Sequence, residues 1–441
     1  MEGDYFLIKG KNPLSGEIEV KGCKNAATPI IAATLLTEEP CYIKNIPLVE
    51  DIFRMLEIVE GLGAKVEWIG EREVKIQAKN IDPLKIKEEL VTALRSSVFL
   101  MGPLLSRFKK VSIPKPGGCI IGARPIDVHL QGFLQLGAGV EIENEKYTLF
   151  AEKLKPNKVT LPEFSVTATE NILMASSLLP GKTVLKIAAI EPHVRDLAMV
   201  LSKMGARIKL KEDHTFEIIG QKKLRGFSHF VIYDSVEAGS FLILAALVNN
   251  KRVLRGKEFK GRLIVKNVLL NTLDLVVEKL KEFGIRVKEI KNRKGISDIE
   301  VESPSEFLSV SKVQVLPYPG IPTDLQCAFG VLSTQAPGET LIHDPMYEGR
   351  LKYLNELNRM GADIAVLDPH RAIVRGPVDL QGTNIKNYDL RSGAALLMAA
   401  LIAEGESTID NIYQIDRGYE KIEKRLQEVG ADIKRISFNT D

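Results

Sequence analysis

Cysteine is scarce in this sequence: Cys23, Cys41, Cys119 and Cys327 are the four in 441 residues, and no two share a CxxC spacing. That argues against a zinc site or a disulfide framework and fits a reducing compartment. Histidine is nearly as rare, six residues without an HxxxH pair, so neither a metal nor a cofactor is expected. No uninterrupted apolar run reaches transmembrane length, and Met1-Glu2-Gly3-Asp4 lacks the basic and apolar regions of a signal peptide. The expected location is therefore cytoplasmic, with no membrane partner. The net charge of +3 is too small to argue for nucleic acid, so any basic site must be local. Neither GxxxxGK[ST] nor a GxGxxG after a strand occurs, which excludes P-loop NTPases and Rossmann dehydrogenases. No obligate protein partner is evident.

What the chain has instead is internal repetition. A helix-ending turn followed by a strand recurs six times, in Leu62-Gly63-Ala64-Lys65-Val66, Leu136-Gly137-Ala138-Gly139-Val140 and Met204-Gly205-Ala206-Arg207-Ile208, and again around Gly284, Gly361 and Gly430. The spacing is roughly 70 to 80 residues, about what a small α/β unit needs. Each glycine follows an amphipathic run, such as Val49 to Leu62 or Tyr347 to Met360, and reads as a helix C-terminal cap.

A second kind of helix alternates with the first. The runs Asn25 to Leu36, Arg95 to Leu105, Thr167 to Leu179, Glu237 to Val248, Asp324 to Leu332 and Arg391 to Ile402 are apolar on nearly all sides. Such helices are buried, and these are too short for a bilayer. Six copies of buried helix, strand, amphipathic helix and strand predict an α/β protein of two domains with three units each. The boundary falls near Ile232. The strand-like start, Tyr5 to Gly10 and Glu17 to Val20, has no unit of its own and is expected to complete the C-terminal domain. The expected domains are residues 1–22 with 233–441, and residues 23–232, with a ligand cleft between them.

Polar residues gather at the first turns. Lys24, Arg95, Arg124, Arg350, Arg391 and Arg417 are expected at helix N-termini, where free N–H groups already favour an anion. Six cations so placed predict a pocket for phosphate and carboxylate. One of them adjoins the loop Lys115-Pro116-Gly117-Gly118-Cys119-Ile120-Ile121-Gly122-Ala123-Arg124, whose thiol could be acidified by its surroundings.

These residues resemble a known family. Gly22-Cys23-Lys24-Asn25-Ala26-Ala27, Pro116-Gly117-Gly118-Cys119 with Ile121-Gly122-Ala123-Arg124-Pro125 and Asp127, Pro322-Thr323-Asp324, and Ile415-Asp416-Arg417-Gly418-Tyr419-Glu420 are similar to the UDP-N-acetylglucosamine 1-carboxyvinyltransferases. The match runs in order from about residue 5 to the end. It implies a two-domain inside-out α/β barrel of six repeated units, with parallel buried helices. It also implies enolpyruvyl transfer from phosphoenolpyruvate to the 3-hydroxyl of UDP-N-acetylglucosamine, by addition and then elimination of phosphate, as the first committed step of peptidoglycan synthesis.

The same resemblance implies roles. Cys119 matches the loop cysteine that the family uses as an acid and that fosfomycin alkylates, and Asp324 the carboxylate that serves the sugar hydroxyl. Lys24, Arg124 and Arg417 match contacts to the phosphate of phosphoenolpyruvate, and Arg350 and Arg391 match its carboxylate side. Asn25 and Arg95 match contacts shared with the sugar nucleotide. Arg124, Pro125, Ile126, Asp127 and Val128, then Glu163, Phe164, Ser165 and Val166, and finally Met346, match the uridine and diphosphate surroundings. Departures from the pattern are Gln414 for histidine, Ser235 for arginine, Tyr233 for proline, Leu48 and Glu50 where lysines are usual, and Glu163 for a cation. Two alternatives follow: a catalytically silent nucleotide-sugar binder, or transfer to another acceptor such as shikimate 3-phosphate.

Overall fold

In the computed structural model, which describes residues 3–117, 122, 125–255 and 261–437, every glycine of the repeated turn has a positive φ. The values are 108° at Gly63, 90° at Gly137, 117° at Gly205, 84° at Gly284, 94° at Gly361 and 104° at Gly430. A side chain would be strained there, so glycine ends each amphipathic helix and turns the chain into the next strand. The strands that follow are Lys65–Gly70, Gly139–Glu143, Arg207–Lys211, Arg286–Arg293, Asp363–Asp368 and Asp432–Ile436.

Contacts divide the chain into two compact units. Of the described residues, the C-terminal unit comprises 3–21, 233–255 and 261–437, together with Gly122; the N-terminal unit comprises 22–117 and 125–232. The chain passes between them at Lys21 and Gly22 and again at Ile232 and Tyr233. Within the C-terminal unit, Asp234 N–H donates to Lys21 O at 2.9 Å. Within the N-terminal unit, Cys23 N–H donates to Ile232 O at 2.7 Å.

The C-terminal unit encloses three helices, Ser235–Val248, Thr323–Ser333 and Leu390–Ile402, which pack on one another. All thirteen residues of the last are buried. Glycine lets the first two approach closely, since a Cβ at Gly239 would lie 2.5 Å from Leu325, and Gly330 leaves room for the hydroxyl of Tyr353 from the helix Tyr353–Arg359, which a Cβ would meet at 2.0 Å. Around them stand three four-stranded sheets. The strand Tyr5–Lys9 lies between Glu406–Ile409 and Asp432–Ile436, antiparallel to both, and Gly16–Glu19 pairs in parallel with Leu263–Val268. The N-terminal strands are thus structural parts of this unit.

The N-terminal unit repeats the plan around Lys24–Ala33, Val166–Ser177 and the segment from Arg95 to Phe108. That segment departs from the expected single helix. It begins as a 3-10 helix, Arg95–Leu100, and becomes α-helical only over Met101–Phe108. Pro103 has no N–H to give, so it suits the first turn of a restarted α-helix better than the interior of a continuous one. The run expected from Tyr347 is likewise shorter: a 3-10 turn at Arg350–Lys352 leads into Tyr353–Arg359. Gly349 in the preceding turn disfavours helix by about 1 kcal/mol relative to alanine.

Candidate active site

Asp324 lies in the first turn of the buried helix Thr323–Ser333, between two arginines of the same unit. Arg350 Nη2 donates to its Oδ1 at 2.7 Å, and Arg391 Nε donates to its Oδ2 at 3.0 Å. Both arginines are almost wholly buried, 4% and 3% exposed. Burial opposes their charges, and Asp324 with the neighbouring groups more than restores them, so both guanidiniums hold their protons more firmly than usual. In return the two cations favour the ionised carboxylate.

Capping explains how Arg391 comes to this place. Asp389 accepts the backbone N–H groups of Arg391 and Ser392 at 2.9 and 3.1 Å, starting the helix Leu390–Ile402. Asp389 Oδ1 also stands 3.6 Å from Arg350 Nη1. The Arg391 guanidinium lies over the Tyr419 ring, 5.4 Å from its centroid, and the Tyr419 hydroxyl is 3.0 Å from Ser240 Oγ. Arg391 Nη1 and Nη2 are buried and have no hydrogen-bond partner among the described residues. Two donors without acceptors in a dry place are costly unless an anion arrives to take them.

Arg417 corrects an expectation. It does not open a helix: it follows the short helix Tyr413–Asp416 as its C-cap residue. The strain of left-handed Lys421, with φ of 39°, separates that turn from the next helix, Ile422–Glu428. The side chain is nevertheless withdrawn from solvent, 6% exposed, and Nη1 donates to Gln414 Oε1 at 3.0 Å. Gln414 therefore supplies an acceptor for Arg417. Ser235 hydrogen-bonds Thr272 at 2.6 Å, a neutral role within the fold.

In the N-terminal unit, Lys24 is the first residue of the helix Lys24–Ala33, with Asn25 beside it, and its Nζ is 2.8 Å from Asp51 Oδ2. Arg95 opens its 3-10 helix and donates through Nη2 to Pro125 O at 3.3 Å. Near it the fully buried His129 is held neutral: burial, then the Arg95 charge, pull its pKa down to about 3. Its Nε2 lies 2.9 Å from the Thr167 hydroxyl. Asp127 begins the helix Asp127–Gln135 and is exposed with Pro125, while Ile126 and Val128 are buried. Ser165 caps Val166–Ser177 by accepting the Ala168 N–H at 3.4 Å. Glu163 is exposed, and so is Phe164, whose ring lies 4.7 Å from that of His214. Met346, in the other unit, is also exposed. Cys119 and Arg124 lie outside the described residues.

The structure therefore brings Asp324, Arg350 and Arg391 into one cluster. Thr323, Asp344, Asp389 and Tyr419 join them there without having been assigned a role from sequence. Thr323 and Tyr419 stand within the motifs that carry the resemblance, and Asp389 had the signal of an aspartate directly before an apolar helix.

Comparison with known proteins follows the whole chain. The family described as EPSP synthase (3-phosphoshikimate 1-carboxyvinyltransferase) matches residues 8–426. A UDP-N-acetylglucosamine 1-carboxyvinyltransferase of Halothermothrix orenii is 43% identical over 431 residues, covering 98% of this chain and 99% of its own. One of Coxiella burnetii is 39% identical over 435 residues, covering 98% and 96%. Among solved structures, the enolpyruvyl transferase NikO from Streptomyces tendae superposes with a TM-score of 0.86 at 23% identity, over 99% of both chains. That likeness speaks to the fold.

Proposed function

The chain belongs to the EPSP synthase family and, within it, to the UDP-N-acetylglucosamine 1-carboxyvinyltransferases, and from that membership we propose how its residues act. It is a transferase: it moves the enolpyruvyl group of phosphoenolpyruvate to the 3-hydroxyl of UDP-N-acetylglucosamine and releases phosphate. The observation that carries the residue assignment is Asp324 held between Arg350 and Arg391, with two buried Arg391 donors still to be satisfied.

Addition of a hydroxyl across the enol double bond needs a proton on the methylene carbon and a base for the hydroxyl. Cys119 is assigned the acid and Asp324 the base. Asp324 clamped by two guanidiniums is a weak base. A substrate carboxylate bound by Arg391 and Arg350 brings a negative charge beside it, offsets the clamp and raises its affinity for the proton. Lys24, Arg124 and Arg417 are assigned to the phosphate that leaves, where fixed cations stabilise the developing charge. Asn25, Arg95, the residues Arg124 to Val128, the residues Glu163 to Val166, and Met346 are assigned to the sugar nucleotide. The exposed ring of Phe164 offers apolar area for its base.

No helix among the described residues is long and apolar enough to cross a membrane. We assign the protein to the cytoplasm, to peptidoglycan synthesis and so to cell-wall growth, cell shape and division, with fosfomycin as an inhibitor. The test is phosphate release from purified protein given phosphoenolpyruvate and UDP-N-acetylglucosamine. Release with that pair is expected. Nucleotide binding without release would leave a silent binder, and release only with shikimate 3-phosphate would move the chain to the other acceptor.

A further inference from the structure

Asp344 follows the strand Gly338–His343 and has no exposed surface. Its backbone is tied to His370: its N–H donates to His370 O at 2.9 Å, and its carbonyl lies 2.8 Å from His370 Nδ1. Of its carboxylate oxygens, Oδ1 accepts the Met346 N–H at 3.0 Å and Oδ2 accepts the Thr323 hydroxyl at 2.5 Å. With its hydrogen directed at Asp344, the Thr323 oxygen turns its lone pairs toward Arg350 Nε, 3.3 Å away. The same guanidinium then reaches Asp324. The order is carboxylate, hydroxyl, guanidinium, carboxylate, and each member fixes the next.

We propose that Asp344 is a positioning residue for the reaction, acting through Thr323 on Arg350 and through Arg350 on Asp324. The inference rests on the reading of Asp324 as the acceptor of the sugar hydroxyl proton. When Asp324 takes that proton it loses most of its attraction for Arg350. Thr323, held by Asp344, and Asp389, 3.6 Å from Nη1, keep the guanidinium in place through the step. Arg350 then has nothing to reorganise as charge moves, which is the condition for effective electrostatic stabilisation. The charged and titratable groups around this relay are Arg350, Arg391, Asp324, Asp389, His370, Cys327, Tyr353 and Tyr347, whose ring lies 5.6 Å from the Arg350 guanidinium.

Asp344→Asn, Thr323→Val and Thr323→Ser distinguish orientation from mere packing. Asparagine keeps an oxygen for the Met346 N–H but offers Thr323 a donor in place of an acceptor. Its kcat is expected to fall about 10- to 100-fold, the scale of a small misplacement of reacting groups. The KM for UDP-N-acetylglucosamine should change little. The acid limb of its kcat–pH profile should move to lower pH, because a like charge near Asp324 has gone. Thr323→Val should lose a similar factor without moving that limb, and Thr323→Ser, which keeps the hydroxyl, should restore the rate. The Thr323 pair decides the matter if Asp344→Asn does not fold. Normal turnover in folded Asp344→Asn or in Thr323→Val overturns the inference, as does equal loss in Thr323→Ser. Absence of turnover in the unsubstituted protein removes the functional reading first, and this inference with it.

Discussion

Lys24 Nζ stands 2.8 Å from Asp51 Oδ2, with 12% and 5% of the two side chains exposed. Lys24 begins one helix, where the backbone dipole disfavours a cation, and Asp51 sits in the first turn of another, Glu50–Gly61, where the dipole favours an anion. The pair reconciles a lysine with a place that repels it.

Breaking that pair from one side should destabilise the protein by about 3–5 kcal/mol, the usual cost of a buried charge left alone. Urea unfolding of Asp51→Ala, Lys24→Met and Lys24→Met with Asp51→Leu measures it. The double variant is expected to lose less than the two single losses added together. Additive losses would mean that the two residues do not interact energetically.

Asp324→Asn should keep the fold and sugar-nucleotide binding but lose about 10²- to 10⁴-fold in turnover, because an amide cannot take the hydroxyl proton. Steady-state phosphate release measures it, and a near-normal rate would remove Asp324 from the role of base.

Glu170 should make stability fall as pH rises. It lies in the helix Val166–Ser177 with no exposed surface, and neither oxygen has a hydrogen-bond partner among the described residues. Burial, then the Glu191 charge, push its carboxyl well above the usual range. The folded chain therefore keeps this proton to higher pH than the unfolded chain does. Its stabilising effect is complete below the unfolded pKa and is lost as pH rises toward the folded one, at up to about 1.4 kcal/mol per pH unit. Glu170→Met should raise the melting temperature at pH 7 to 8, with the gain shrinking toward pH 4. A gain that did not depend on pH would show that Glu170 carries no such proton.

Fosfomycin should label Cys119 before any other thiol, and faster with sugar nucleotide present. Cys23, Cys41 and Cys327 are buried, and burial pushes the Cys41 thiol up to about 12 and the Cys327 thiol far from ionisation. Peptide mapping after partial reaction reads the order; Cys23 or Cys327 labelled first would contradict it.

Much of the fold is legible in the sequence because its cause is local. Gly63, Gly137, Gly205, Gly284, Gly361 and Gly430 mark helix ends by a backbone angle that glycine alone adopts without strain. A helix such as Leu390–Ile402, apolar on every side, must be buried wherever the rest of the chain goes. Helix starts are less secure. Pro103 and Gly349 shift two of them, and Arg417 ends a short turn where a helix N-terminus was expected.

The sequence by itself determined which residue types would be present for the chemistry, and that cations would stand in the first turns of helices, as Lys24, Arg95, Arg350 and Arg391 do. Only the tertiary structure decided their partners. Lys24 answers Asp51 across 27 positions, Arg391 answers Asp324 across 67, and Thr323 meets Asp344 across 21. Helical spacing and caps act within a turn or two of chain, whereas a charge buried from water takes whichever opposite charge the packing of other elements delivers.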